Sequence, residues 1–222
     1  MPQSSSTYIA LRVEIPRTDP WLRELENALR REGVAQNLQK TPLHITIAFM
    51  PEKVNKLRVI QAVSKVLRRH QPVTITLNKL TSFGTQSNEG IINLTSVGSN
   101  PEFYSLVEDI RKTITDLGYH IQHDFRLHVT VARASHFDDV LAKLNWAKVH
   151  VGDPSYTIKL DRLYFQRFKT SVPVFEWKLG SPVKTLCTAL TLPLRSLCGK
   201  LKLKRKRKKR RPRKYKYIDP HW

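Results

Sequence analysis

Two seven-residue stretches of this chain are near copies of each other, and both hold side chains suited to moving protons. Residues 43–49 read LHITIAF and residues 127–133 read LHVTVAR. Of eight histidines, only His44 and His128 are followed two positions on by a Ser or Thr. β-Branched alternation makes both copies strands, in which side chains at i and i+2 share a face. One face is therefore expected to carry His44, Thr46 and Ala48, or His128, Thr130 and Ala132. The other carries Leu43, Ile45 and Ile47, or Leu127, Val129 and Val131, and packs on a core. Two such polar fronts, facing each other, would make an acid–base site.

The chemistry that wants these residues is phosphodiester cleavage. It needs a base for the attacking oxygen and an acid for the leaving one, and two imidazoles with ordinary pKa near ~6.5 hold those opposite states together at neutral pH. Each Thr hydroxyl can donate to a non-bridging phosphoryl oxygen, where transition-state charge must be held. The Ala two positions after each Thr is expected to keep the face shallow enough for a phosphate. The arrangement calls for no cofactor and no metal. A single His-x-Thr would read as a half-buried, hydrogen-bonded histidine on an amphipathic strand. Two copies with matching flanks, 84 residues apart, favour catalysis.

The elements that must position these strands are legible around them. Asp19-Pro20 caps a helix whose stripe is Leu22, Leu25 and Leu29, stopped by Gly33. A second helix fits residues 55–69 with Ile60, Val63 and Leu67 inward. The clearest runs from Asn100-Pro101 to Gly118, with Phe103, Val107, Ile110, Ile114 and Leu117 on one side. A short helix capped by Ser135 follows the second motif, with Val140, Leu141 and Leu144 inward. Strands are expected at 7–15, 73–80, 90–97, 157–168 and 173–179. This order, strand–helix–strand in each half, predicts an α+β fold: two pseudo-symmetric lobes with antiparallel-rich sheets around a central groove.

At the two motifs the chain resembles the 2H phosphoesterase superfamily, also called LigT-like or 2′-5′ RNA ligase-like, which is defined by paired His-x-Thr/Ser motifs. The resemblance runs from about Tyr8 to Gly180, opening with YIALRVEIP and closing with DRLYFQRF and VFEWKLG. It implies a phosphodiesterase acting on 2′,3′-cyclic phosphates or 2′,5′-linked oligonucleotides. It also implies His44 as proton donor and His128 as acceptor, although a substrate bound the other way round would swap them. A bacterial branch carries an Arg at His+5, the place of Arg133. Strand parity sends Arg133 to the back face, so a phosphate contact requires the strand to end or twist there; the competing reading is a surface salt bridge. Phe49, at the matching place after the first motif, is read as core.

The remaining histidines do not read as ligands. His120, His123, Asp124 and His128 crowd together, but the segment looks like a turn into a strand, without a Cys to complete a zinc set. His70, His136, His150 and His221 have no partner pattern and are expected to be solvated. Phe83, Tyr119, Phe125, Tyr164 and Phe168 are the candidates for base stacking.

Length is consistent with one domain over residues 7–180, a linker or short amphipathic segment over 181–199 and a basic tail over 200–222. Residues 200–216 hold 13 Lys or Arg out of 17, including the unbroken run Lys204, Arg205, Lys206, Arg207, Lys208, Lys209, Arg210 and Arg211. Such a run cannot pack against itself and is expected to be disordered when free. It reads as a nuclear or nucleolar localisation signal recognised by an import receptor, as an RNA-binding arm, or as a polybasic membrane tether, with the first two jointly favoured. The segment VKTLCTALTLPLRSLC, residues 183–198, is too short and too interrupted to span a bilayer. The polar N-terminus has no signal-peptide core, so secretion is not expected. Both cysteines, Cys187 and Cys198, lie outside the domain, which excludes a disulfide framework there. A monomer is expected, in the nucleus or nucleolus of a eukaryotic or virus-infected cell and otherwise in the cytoplasm.

Two function classes follow. One is a phosphodiesterase of RNA-type substrates; by the resemblance, an antagonist of a 2′,5′-oligoadenylate pathway is one form of it. The other is a non-catalytic RNA-binding protein using the same fold and tail. Intact His/Thr pairs favour the enzyme, since a binding module needs neither imidazole.

Overall fold

The structure is a computed structural model that describes residues 6–31, 42–83, 90–98, 100–134, 150–168, 170 and 172–180. The chain divides into two compact units, Met1–Lys184 and Thr185–Trp222, and every described residue lies in the first. Three helices form at the places the sequence predicts. In α1, Pro20–Arg31, the Asp19 carboxylate accepts from the Leu22 amide at 3.0 Å. In α2, Lys56–Leu67, Asn55 accepts from the Arg58 amide at 3.2 Å. In α3, Pro101–Asp116, Asn100 accepts from the Phe103 amide at 2.9 Å. These side chains satisfy amides that have no partner in the first turn. Gly118 ends α3 at φ 85°, a left-handed conformation that costs glycine little, and the Tyr119 amide returns to the Ile114 carbonyl. The stripe of α2 is rotated from the expected one: Val59, Val63, Val66 and Leu67 are buried, and Ile60 only partly.

Nine strands are described: β1 Thr7–Arg12, β2 His44–Met50, β3 Val73–Leu77, β4 Lys79–Phe83, β5 Gly90–Thr95, β6 Val129–Ala134, β7 Tyr156–Leu160, β8 Arg162–Arg167 and β9 Pro173–Lys178. The fold is α+β with antiparallel pairing throughout these ladders, in the orders β2-β1-β8-β9, β4-β5-β6 and β3-β7. Two expected strands are therefore each two. The stretch 73–80 breaks at Asn78 and runs on as β4 to Phe83, and 157–168 breaks at Asp161. Both breaks are hydrogen-bonded: the Asn78 side chain accepts from the Val97 amide at 2.7 Å, and the Asp161 carbonyl from the Leu179 amide at 2.8 Å. Their meaning is topological. The β3-β7 ladder joins the two larger sheets, because β3 hands the chain to the three-stranded sheet and β7 hands it to the four-stranded one.

The apolar faces meet in one core that includes Phe103 of α3, Leu25 and Leu29 of α1, Ile45 and Ile47 of β2, Phe165 of β8 and Val129 of β6. Helix α3 packs on α2, β2 and β3. Polar clamps lock the layers: Trp177 Nε1 donates to Ser64 Oγ at 2.9 Å, and His70 Nε2 meets Asp109 Oδ2 at the same distance. His70 is thus not solvated as expected. Its side chain is 12% exposed and ties the end of α2 to α3, a contact that joins residues 39 apart and leaves no local pattern. The expected helix from Ser135, the stop at Gly33, and His136 and His221 lie outside the described residues.

Candidate active site

The two motif strands are edge strands of different sheets, and they approach each other. Both are bulged at the same place. Along β1, Ile9 pairs with Ala48 and Ala10 with Thr46, so Ile47 is the extra residue. Along β5, Ile92 pairs with Ala132 and Asn93 with Thr130, so Val131 is the extra residue. A bulge inserts one residue into one strand and resets which face the following side chains take. Directly paired residues share a face, which fixes the outcome. On β1, Arg12, Ala10 and Tyr8 lie opposite His44, Thr46 and Phe49, while Leu11 and Ile9 lie opposite Ile45 and Ala48. In the second sheet Asn93 and Ile91 lie opposite Thr130 and Arg133, and Ile92 opposite Ala132.

This corrects the parity reading in two ways. Ala48 and Ala132 do not floor the polar front; they turn to the core, 1% and 0% exposed, directly after the buried Ile47 and Val131. Arg133 does not leave on the back face but joins His128 and Thr130 on the front. Phe49 makes the same move beside His44 and Thr46, where it is half-buried and edge-on to Phe168. The Ile47 carbonyl at the first bulge accepts from Arg111 Nη1 of α3 at 2.8 Å, and Arg111 Nη2 donates to the His123 carbonyl at 2.7 Å. One guanidinium therefore pins the bulge of β2 to the segment leading into β6.

The imidazoles are held alike. His44 Nδ1 lies 2.8 Å from the Pro42 carbonyl and His128 Nδ1 lies 2.9 Å from the Arg126 carbonyl, in each case two residues back. A carbonyl only accepts, so each Nδ1 carries the proton and each Nε2 is left for chemistry. Burial pushes the pKa of both rings below the ordinary histidine value. The carbonyl bonds oppose that shift, while the positive charge of Arg133 adds to it at both rings and His44 adds to it at His128. Arg133 and both imidazoles thus share one electrostatic neighbourhood, and Thr46 and Thr130 are half-buried on the same two fronts.

Aromatic rings flank the pair. Tyr8 stacks on His44 with centroids 5.7 Å apart, and Phe83 meets His128 edge-on at 4.9 Å. Tyr8 was not singled out in the sequence; its signal is its place in the strand that pairs with the first motif. Arg12, missed for the same reason, lies directly across from His44, and its Nη1 donates to the Tyr164 hydroxyl at 3.0 Å. Among the other stacking candidates, Tyr119 accepts from the Asn55 amide at 2.9 Å and Phe125 packs on Phe103 and Tyr104. Both therefore serve packing. Among the described residues no three His, Cys, Asp or Glu side chains gather as a metal-binding group. Lys204 to Arg211 lie outside the described residues.

A family model described as the 2′-5′ RNA ligase superfamily matches residues 6–172. Among solved structures, E. coli LigT complexed with 3′-AMP is similar over 81% of this chain and 100% of its own, at a TM-score of 0.53 and 16% identity. Usb1 of Kluyveromyces marxianus with uridine monophosphate is similar over 79% of this chain and 99% of its own, at a TM-score of 0.52 and 11% identity. At such identities the likeness is one of fold. No curated protein matches the sequence.

Proposed function

The chain belongs to the 2′-5′ RNA ligase superfamily, and from that premise we propose that it is a phosphodiesterase of RNA-type substrates, 2′,5′-linked oligonucleotides or 2′,3′-cyclic phosphates. Membership brings a phosphoesterase-type function; the substrate and the residue roles are our reading. The observation that carries it is the matched pair of imidazoles, each with Nδ1 tied to a backbone carbonyl and each exerting its chemistry through Nε2. LigT binds 3′-AMP and Usb1 binds uridine monophosphate in their solved complexes, which favours a nucleotide phosphate between these rings.

In this mechanism His128 Nε2 takes the proton of the attacking water or hydroxyl. A new P–O bond forms as the old one breaks, and His44 Nε2 gives its proton to the leaving oxygen. Thr46 and Thr130 donate to the non-bridging oxygens, and Arg133 balances the charge that develops there. Both proton transfers come from the protein, so chelators should leave the rate unchanged. The basic run Lys204–Arg211 serves nuclear import or capture of long RNA, outside the chemical step.

The test is a panel of 2′,5′-oligoadenylate, a 2′,3′-cyclic nucleotide and 3′,5′-linked RNA offered to the purified protein. Turnover of the first or second, lost in both His44→Ala and His128→Ala, is expected. Binding of all three without turnover would assign the chain to RNA binding alone.

A further inference from the structure

Beside His44 lies a cation that the chemistry above does not use. Arg12 and His44 are directly paired across β1 and β2, so their side chains rise from the same face, with Cβ atoms about 5 Å apart. Tyr164 rises from that face too, since it pairs with Ala10, the partner of Thr46. The Arg12 guanidinium donates one bond to the Tyr164 hydroxyl at 3.0 Å. Having accepted there, the hydroxyl keeps its own proton to give, and the guanidinium keeps further N–H groups. Both donors therefore rise, bonded to each other, from the face that carries His44.

The carboxylates around Arg12 do not quench it. Glu14 approaches Arg12 Nε only to 3.6 Å, with side chains 41% and 60% exposed, a contact of little strength in water. Glu176, which pairs directly with Tyr164 across β8 and β9 and so shares its face, also lies within electrostatic reach of Arg12. It is divided with Arg162 at 3.5 Å, in a contact as exposed as that of Glu14. Among the described residues, the matching position of the second lobe holds no cation. Continuing the β5-β6 register, Thr95 takes the position that Arg12 holds, and its hydroxyl is spent on the Leu127 carbonyl at 2.6 Å.

We propose that Arg12 and Tyr164 form a second phosphate-binding subsite on the His44 side, which takes the phosphate one nucleotide away from the scissile bond. The preferred substrate is then an oligonucleotide with a neighbouring or terminal phosphate, not an isolated dinucleotide or cyclic mononucleotide. An arginine fork with a hydroxyl beside it suits the tetrahedral oxygens of a phosphate better than a lysine would. The inference rests on the phosphodiesterase reading for its biological meaning, but its binding chemistry can be tested without turnover.

The probes are a nucleoside 3′,5′-bisphosphate and the corresponding 3′-monophosphate, titrated into the full chain by calorimetry at low salt. The bisphosphate should bind about 10- to 100-fold tighter, the range expected for added charge-assisted hydrogen bonds. Arg12→Gln should collapse that ratio toward one, Arg12→Lys should keep part of it, and Glu14→Gln should widen it. Thermal melting and near-ultraviolet circular dichroism of each variant separate a folding defect from loss of the subsite. Equal weakening of both probes by Arg12→Gln would assign Arg12 to the scissile phosphate and overturn the proposal, as would an unchanged ratio. A parallel arm compares kcat/KM for 5′-phosphorylated and 5′-hydroxyl dinucleotides. An Arg12-dependent binding preference without turnover of either dinucleotide would sink the enzymatic reading and leave the subsite standing. Turnover without an Arg12-dependent preference would do the reverse.

Discussion

The sheet that carries His44 and the sheet that carries His128 share a plan and differ in their furnishing. In each, the motif strand is an edge strand, bulged one residue after its Thr, with the imidazole tied through Nδ1 to the carbonyl two positions back. Around that common frame the side chains diverge. The bulge turns Phe49 onto the first front and Arg133 onto the second. The neighbouring strand offers Tyr8 and Arg12 to the first, and Ile91 and Asn93 to the second. The frame that would move protons is therefore symmetric, while the side chains that would meet a substrate are not. The repeated frame holds the two imidazoles alike through backbone hydrogen bonds, and leaves their surroundings to side chains that the repeat does not constrain.

The largest test removes the symmetric part. His44→Ala and His128→Ala should each cost ~10²–10⁴-fold in kcat, the usual share of one acid–base group. A substrate with an activated leaving group needs no acid, so it should rescue His44→Ala far more than His128→Ala. The opposite pattern in steady-state kinetics would exchange the two roles.

Arg133→Met strikes the asymmetric part and should lower kcat roughly 10²-fold, the scale of one lost transition-state donor. It should also move the pH profile. Both imidazoles are held below the ordinary histidine range, by burial first and Arg133 among the further causes, so the wild-type bell in kcat/KM should centre on the acid side of about 6.5. Removing the positive charge raises both pKa values and shifts both limbs to higher pH. A bell that stayed in place in the variant would detach Arg133 from the pair.

A smaller effect is expected at Arg111, which holds the first bulge. Arg111→Met leaves the part-buried Ile47 carbonyl without that donor, while the exposed His123 carbonyl can turn to water. It should destabilise the fold by about 1 kcal/mol, the usual net worth of one such hydrogen bond. Denaturant unfolding measures this. Activity should fall in kcat through misplacement of His44, and a variant that was destabilised but fully active would separate the bulge from the chemistry.

The smallest effect on the chemical step should come from truncation of residues 200–222, which removes twelve of the twenty-one net positive charges and neither motif. Turnover of short oligonucleotides should keep its kcat, while affinity for long RNA and its steep salt dependence should fall. A truncated enzyme inactive on dinucleotides would place the tail in the site and break the equivalence of the two lobes as its sole builders.

Much of this was legible because it is written in local signals. The caps Asp19 and Asn100 and the glycine stop at Gly118 act within one helical turn, so those helix ends stand where the chain announces them; the Asn55 cap of α2 was not singled out. Strand breaks at Asn78 and Asp161 were not legible, because each is continuous in pattern and is divided only by the sheet its two halves join. His70 likewise finds Asp109 through the packing of α2 on α3.

The sequence by itself determined the candidate groups: a His and a Thr at the head of each of two strands, with an aliphatic back to bury, since hydropathy and side-chain period are properties of consecutive residues. Only the tertiary structure decided what surrounds them. An extra residue at Ile47 and at Val131 is visible solely against the partner strand, and it alone turns Ala48 and Ala132 inward and brings Arg133 to the front. The placement of Arg12 opposite His44 is of the same kind, because register between strands is set by the core that both must cover and not by either strand alone.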